Sequence, residues 1–274
     1  MLTHYHTEVN GHSIHYVIAG KGRPVLLLHG WPETWYAWRY IIPELAKEYT
    51  VIAPDLTGLG DSTAPADFTP ATVAETMFLL VQQLGYTDIL LAGHDWGGNI
   101  AYLYASAHPE QVSKLVILDI GVMNTALENR PLLARTGKNL WWFPFHMTEA
   151  LPEQLIEGRE RIYLNWFYQQ STFNKAPFED ISEYVRCYSA PGAMGRSFTY
   201  YRHVLDTIDI NMAAPKLHMP VLALGGDHGF GSFPAQSFGA VADNVQGGVI
   251  ANCGHYIAEE QPEALLGYLF EFFR

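Results

Sequence analysis

The stretch Ile89-Leu90-Leu91-Ala92-Gly93-His94-Asp95-Trp96-Gly97-Gly98 decides the fold. An apolar run with no polar face ends in a glycine, and two more glycines open the helical pattern over 97–108. Runs that are apolar on both faces suit strands inside a parallel sheet. The order strand, Gly-x-Asp-x-Gly, helix is that of a sharp turn that lifts one nucleophilic side chain above a sheet. Small residues are needed there because strand and helix approach closely. Read alone, the same residues also fit a glycine-rich helix start with Asp95 near its N-cap.

Similar runs recur on both sides. Val25-Leu26-Leu27-Leu28 runs into His29-Gly30, Val51-Ile52-Ala53 into Pro54-Asp55, and Leu115-Val116-Ile117-Leu118 into Asp119. Val221-Leu222-Ala223-Leu224 runs into Gly225-Gly226, and Val249-Ile250 into Ala251-Asn252. Helical patterns fill 36–48, 71–84 and 262–273, and residues 5–18 alternate around the hairpin signal Asn10-Gly11. This rhythm predicts a doubly wound, mostly parallel α/β sheet. It breaks over 124–212, which is dense in aromatic residues and has no clear strand. Helices are expected over 182–188 and 193–205, separated by Pro191-Gly192. The reading is a core of 1–123 and 213–274 with a helical cap, 124–212, over the strands' carboxyl ends. Ligands bind there in open α/β sheets.

Composition narrows the function. The 274 residues carry 16 Lys and Arg against 28 Asp and Glu, a net charge of −12, with no basic run. Such a chain is a poor partner for nucleic acid or an anionic membrane. No apolar stretch reaches the ~18–20 residues of a membrane span. Cys187 and Cys253 make neither a disulfide framework nor a metal-ligand spacing. The first residues have no basic or apolar leader segment, and a cytoplasmic protein is expected.

Asp95 constrains the chemistry. A carboxylate with an ordinary pKa of ~3.9 is ionised at neutral pH and needs no base to activate it. It can displace a leaving group at an sp³ carbon and become an ester. Water must then cleave that ester, which needs a general base and oxyanion donors. His255, in Asn252-Cys253-Gly254-His255-Tyr256 after the last strand, stands where the order nucleophile, acid, histidine places the base. His29-Gly30-Trp31-Pro32 ends the first buried strand. The backbone N–H groups of Trp31 and Trp96 are the expected oxyanion donors, each worth ~2.7–4 kcal/mol. Asp119 and Asp227 compete as the acid that orients His255. A buried strand end is a costly place for a carboxylate, which favours Asp119.

Together, His29-Gly30-Trp31-Pro32, Asp55 with Gly58-Leu59-Gly60-Asp61-Ser62, Gly93 to Gly98 and Gly254-His255 resemble the α/β-hydrolase epoxide hydrolases and their dehalogenase relatives. The resemblance covers essentially the whole chain. Dehalogenases of this kind usually carry Asn where Trp31 stands. Fluoroacetate dehalogenases carry Arg where Trp96 and Asn99 stand. With Asp119 present and Gly229 at the other acid slot, the chain is most similar to the Cif-type branch.

The resemblance implies an epoxide hydrolase acting on a small hydrophobic epoxide and water, with no cofactor and no metal. It implies catalytic roles for Asp95, His255, Asp119 and Tyr201, the last in Phe198-Thr199-Tyr200-Tyr201-Arg202. A second cap tyrosine is missing. Trp142 falls at its slot, and His146 is a displaced candidate for the histidine of the Cif-type branch. Trp142, Phe143, His146 and His29 are the expected substrate contacts. Adjacent helical residues point ~100° apart, so Tyr200 should face away from Asp95. A homodimer is the implied assembly. The alternative is a haloalkane dehalogenase-type hydrolase using the same three residues, with the Trp96 and Trp142 indoles holding the halide.

Overall fold

The computed structural model describes residues 2–129 and 140–274. Strands β1 (Thr3–Val9) and β2 (His12–Ala19) form the expected hairpin. Its turn residues, Asn10 at φ 50° and Gly11 at φ 80°, both adopt the left-handed conformation that matches strand twist. The remaining strands are β3 (Arg23–Leu28), β4 (Tyr49–Pro54), β5 (Ile89–His94), β6 (Val112–Leu118), β7 (Val221–Gly226) and β8 (Val245–Ile250). They pair in the order β1-β2-β4-β3-β5-β6-β7-β8. Pairing is parallel from β4 to β8 and antiparallel at β1–β2 and β2–β4. The continuous apolar runs are explained by burial, since β4, β5 and β7 are buried at every position.

Helix α1 (Pro70–Gln83) starts at a capping box made by Thr69 and Thr72, with Pro70 at its first position. Together with α2 (Trp96–Ala107) it covers one face of the sheet. The other face is covered by Trp38, Ile41, Ile42 and Leu45 and by a C-terminal helix, Pro262–Phe273. β3 pairs with both β4 and β5, so the winding direction reverses beside it. Trp31 and Asp95 follow β3 and β5, at the crevice where such sheets bind ligands.

Two helix expectations are corrected. The 36–48 pattern folds as a 3₁₀ turn, Trp35–Trp38, and a single helical turn, Ile42–Leu45. Pro43 lacks the N–H that a continuous helix would bond to residue 39. The 193–205 pattern splits at His203 into Ala193–Arg202 and Val204–Ala213.

Between β6 and β7, the described residues after Leu118 contain helices and no strand. In chain order the longer ones are α3 (Trp142–Met147), α4 (Leu151–Ile156), α5 (Glu160–Ser171), α6 (Ser182–Tyr188), α7 (Ala193–Arg202) and α8 (Val204–Ala213). Buried tyrosines tie this insertion to the loops below. Tyr168 donates to the Pro32 carbonyl at 2.5 Å, Tyr188 to Glu33 at 2.9 Å and Tyr200 to Thr57 at 2.8 Å. Among the described residues, no helix is long and apolar enough to cross a membrane.

Candidate active site

The turn after β5 is strained where the chemistry is expected. Asp95 has φ 49° and ψ −123°, a conformation that only the surrounding structure can impose. A Cβ on Gly97 would lie 2.3 Å from the carbonyl oxygens of Leu28 and His29, so the close approach of α2 to β3 excludes any side chain. The Asp95 carboxylate stands between two donors. Its Oδ1 accepts the Trp31 backbone N–H at 2.9 Å, and its Oδ2 lies 3.5 Å from His255 Nε2. Burial opposes its charge, but His255, His94 and the Trp31 amide overcome that and hold the carboxyl below its ordinary range.

His255 lies in the loop after β8. Its backbone N–H donates to the Ser171 carbonyl at 2.7 Å, and its own carbonyl accepts from His94 Nε2 at 2.8 Å. The His255 backbone is thereby held from the insertion on one side and from the turn after β5 on the other. Nδ1 lies 2.7 Å from Asp119 Oδ2. Burial disfavours the imidazolium, yet the hydrogen bonds to Asp119 and Asp95 raise the ring to about 10. Asp119 is fully buried, and its Oδ1 accepts the backbone N–H groups of Gly226 at 3.0 Å and Phe230 at 2.8 Å. Asp227 is engaged elsewhere: its carboxylate accepts the amides of Asn252 and Cys253 at 3.0 and 2.9 Å and braces that loop.

A cavity of about 590 Å³ opens above Asp95. Trp31, Asp95, Trp96, Trp142, Phe143, Phe167, Tyr201, Phe230 and His255 are among its lining residues. Asp95 and His255 are its only ionic side chains among the described residues; the rest of the lining is aromatic, aliphatic or neutral. Tyr201 comes down from α7. Burial and the nearby Asp95 carboxylate push its hydroxyl well above the ordinary tyrosine value, opposed by a hydrogen bond with the Trp96 side chain. It therefore keeps its proton. Tyr200, its neighbour, turns away to the Thr57 carbonyl.

Two expected substrate contacts lie outside the cavity. His29 is fully buried, with Nδ1 on the Gly30 carbonyl at 2.8 Å and Nε2 accepting the Leu56 amide at 3.0 Å. Both ring nitrogens are consumed in shaping the loop that carries Trp31. His146 sits behind the cavity wall, stacked on Phe198 with centroids 4.2 Å apart and edge-on to Tyr201 at 4.4 Å. Its Nε2 pairs with the Tyr163 hydroxyl at 2.6 Å, and burial keeps the ring neutral. Trp142 and Phe143 both line the cavity. The Trp31 side chain is a wall, its indole donating to Ser197 Oγ at 3.1 Å while its backbone serves Asp95.

Sequence reasoning missed a buried pair beneath the site. Glu33 Oε2 lies 2.8 Å from His94 Nδ1 and accepts the Gly30 amide at 2.7 Å. This one carboxylate joins the loop after β3 to the residue before Asp95. Glu33 follows the motif His29-Gly30-Trp31-Pro32 and His94 lies inside Gly93 to Gly98, but neither residue signals in sequence that the two meet. Glu260 was also missed; its carboxylate gathers the amides of Gly254, Phe173 and Asn174 and so fixes the approach to His255.

A strained carboxylate after β5, a histidine after β8 and an acid after β6, all on a doubly wound sheet, define a class. The chain belongs to the alpha/beta hydrolase fold family, whose model matches residues 23–262. Among particular proteins it is similar to the Soluble epoxide hydrolase of Corynebacterium sp. (strain C12). The two are 39% identical over 280 residues, covering 99% of this chain and 97% of that one. The crystal structure of Cfl2 from Burkholderia cenocepacia is 38% identical with a TM-score of 0.93, covering 100% of this chain and 96% of that one. The Cif epoxide hydrolase from Acinetobacter nosocomialis is 25% identical with a TM-score of 0.95, covering 100% and 89%.

Proposed function

We propose that the protein hydrolyses a neutral, hydrophobic epoxide to a vicinal diol through an ester on Asp95. The observation that carries this reading is the protonated Tyr201 hydroxyl sharing one cavity with the Asp95 carboxylate. The names of the similar proteins point the same way.

Asp95 Oδ2 attacks an epoxide carbon, and the C–O bond of the ring breaks. Tyr201 gives its proton to the departing alkoxide, which stays tethered to the substrate. Oδ1, already on the Trp31 amide, becomes the ester carbonyl. Water then attacks Asp95 Cγ while His255 Nε2 takes its proton, and the developing charge on Oδ1 is met by the Trp31 amide and, by family resemblance, that of Trp96. Collapse releases the diol and restores the carboxylate, and the proton held by His255 returns Tyr201 to its neutral form. Asp119 fixes the His255 tautomer with Nε2 toward the reaction. Alkylation of Asp95 removes one of the two carboxylates that raise His255, so the ring becomes a competent base when the ester has formed.

In this reading 124–212 acts as the cap that closes the cavity over the core of 1–123 and 213–274. The aromatic lining lowers the local dielectric, which strengthens the electrostatic interactions inside. The halide alternative would use the Trp96 and Trp142 indoles, but Tyr201, edge-on to Trp96 with ring centroids 5.3 Å apart in the same cavity, supports a proton donor instead. Styrene oxide and 1-bromobutane assayed side by side separate the two. Diol from the first, with at most slow bromide release from the second, is the expected result. Rapid bromide release without diol would overturn it.

A further inference from the structure

We propose that His4, His6 and His15 form a binding site for a divalent transition-metal ion on the N-terminal hairpin, with Asp55 orienting His15 from behind. In the β1–β2 ladder His6 lies directly opposite His15, and His4, two residues earlier, shares its face. The His4 and His6 ring centroids lie 5.2 and 4.9 Å from that of His15. His4 Nδ1 is 3.0 Å from His15 Nε2. Two nitrogens bound to one ion at about 2.0–2.1 Å sit about 2.9–3.3 Å apart, for angles from square to tetrahedral. This hydrogen-bonded pair therefore already stands at ligand spacing, and an ion would take the place of the shared proton. His6 is exposed on the same face, and its nitrogen would join the other two only after rotation about its side-chain bonds.

Asp55 distinguishes this group from three histidines that happen to be near one another. It is buried, and its Oδ2 accepts from His15 Nδ1 at 2.7 Å. The backbone amides of Trp35 and Asp61 hold the same carboxylate at 2.7 and 2.9 Å. With the proton on Nδ1, the lone pair of His15 is on Nε2, the nitrogen that faces His4. A carboxylate behind the ring is the usual support of a metal-bound histidine, fixing its tautomer and raising its basicity. The Asp61 carboxylate lies close by, but two hydrogen bonds from Arg186 at 2.9 and 2.7 Å engage it, so it is not counted as a ligand. The Trp35 ring closes one side, edge-on to His4 at 5.1 Å. Imidazole donors favour nickel, copper and zinc over calcium and magnesium, and the net charge of −12 draws cations to the surface. None of these residues lines the catalytic cavity, so the ion is not part of the proposed hydrolysis.

Calorimetric titration of the chelator-treated full-length protein with Ni²⁺ tests the site. Wild type is expected to bind one ion at this hairpin. The double variant His4→Gln/His6→Gln should weaken that binding by more than about tenfold, the least that loss of an outer-shell partner costs a metal site. Both positions are exposed, so the variant should keep the wild-type Tm without metal. His218→Gln, at an exposed histidine paired with Asp243, should bind as wild type does. Absence of saturable Ni²⁺ binding by wild type, or binding unchanged in the double variant, would overturn the proposal.

Discussion

Asp119 and Gly229 occupy one space between them. A Cβ added at Gly229 would lie 2.5 Å from Asp119 Oδ1 and 2.6 Å from Oδ2. The acid after β6 and an acid at position 229, the other slot in this family, are therefore mutually exclusive in this backbone, because a side chain at 229 displaces the Asp119 carboxylate. Gly229→Ala should cost about 1–3 kcal/mol through overpacking. It should also lower turnover at least tenfold by pushing Asp119 off His255. Denaturation midpoints and kcat measured on one preparation check both effects.

Asp119→Asn should separate the two chemical steps. In the proposed mechanism ester formation needs Asp95 and Tyr201, whereas ester hydrolysis needs an oriented, basic His255. Rapid-quench measurements should show the first step retained and the second slowed, with ester accumulating. Equal slowing of both steps would remove Asp119 from the role given to it.

Tyr201→Phe should lower epoxide opening by ~10²–10⁴-fold, the usual worth of a positioned proton donor. A halide leaving group gains nothing from protonation, so any bromide release should change little. Tyr200→Phe removes only the hydrogen bond to Thr57 and should cost about 1 kcal/mol of stability, with kcat unchanged.

The His255 ring, raised from 6.5 to about 10 in the folded protein, makes stability depend on pH. Between those values the folded state holds a proton that the unfolded state has lost, so stability falls as pH rises. The contribution is fully present below pH 6.5 and gone above about 10. Melting curves across that window should show the decline, and His255→Gln should flatten it.

Charge on the substrate should be penalised. The cavity carries Asp95 and His255 as its only ionic side chains among the described residues, and an unpaired carboxylate moved into such a site loses its hydration without compensation. Phenylglycidate should therefore show a kcat/KM at least tenfold below that of styrene oxide. Comparable values would mean that a counter-charge reaches the cavity.

The sheet was legible because burial on both faces leaves runs such as Ile89 to Ala92 with no polar alternative. Asp95 was legible because the turn that exposes it also demands Gly97. Histidines were not legible in the same way. His29 is held on a backbone carbonyl and His146 on the Tyr163 hydroxyl, and in sequence such imidazoles look like one that faces a cavity. Pairs that close across long loops were silent too: Glu33 meets His94 across 61 residues, and neither predicts the other. The 36–48 pattern has helical periodicity, but Pro43 lacks the N–H that a continuous helix would need there.

In the proposed reaction Asp95 becomes an ester. Replacement His255→Gln leaves the attack on the epoxide in place and removes the base that clears the product. After incubation with styrene oxide, peptide mass spectrometry of this variant should find the peptide containing Asp95 heavier by the mass of the epoxide, with the adduct on that side chain. An unmodified Asp95 peptide, from a variant that stays folded and whose wild type turns over the same substrate, would contradict the account.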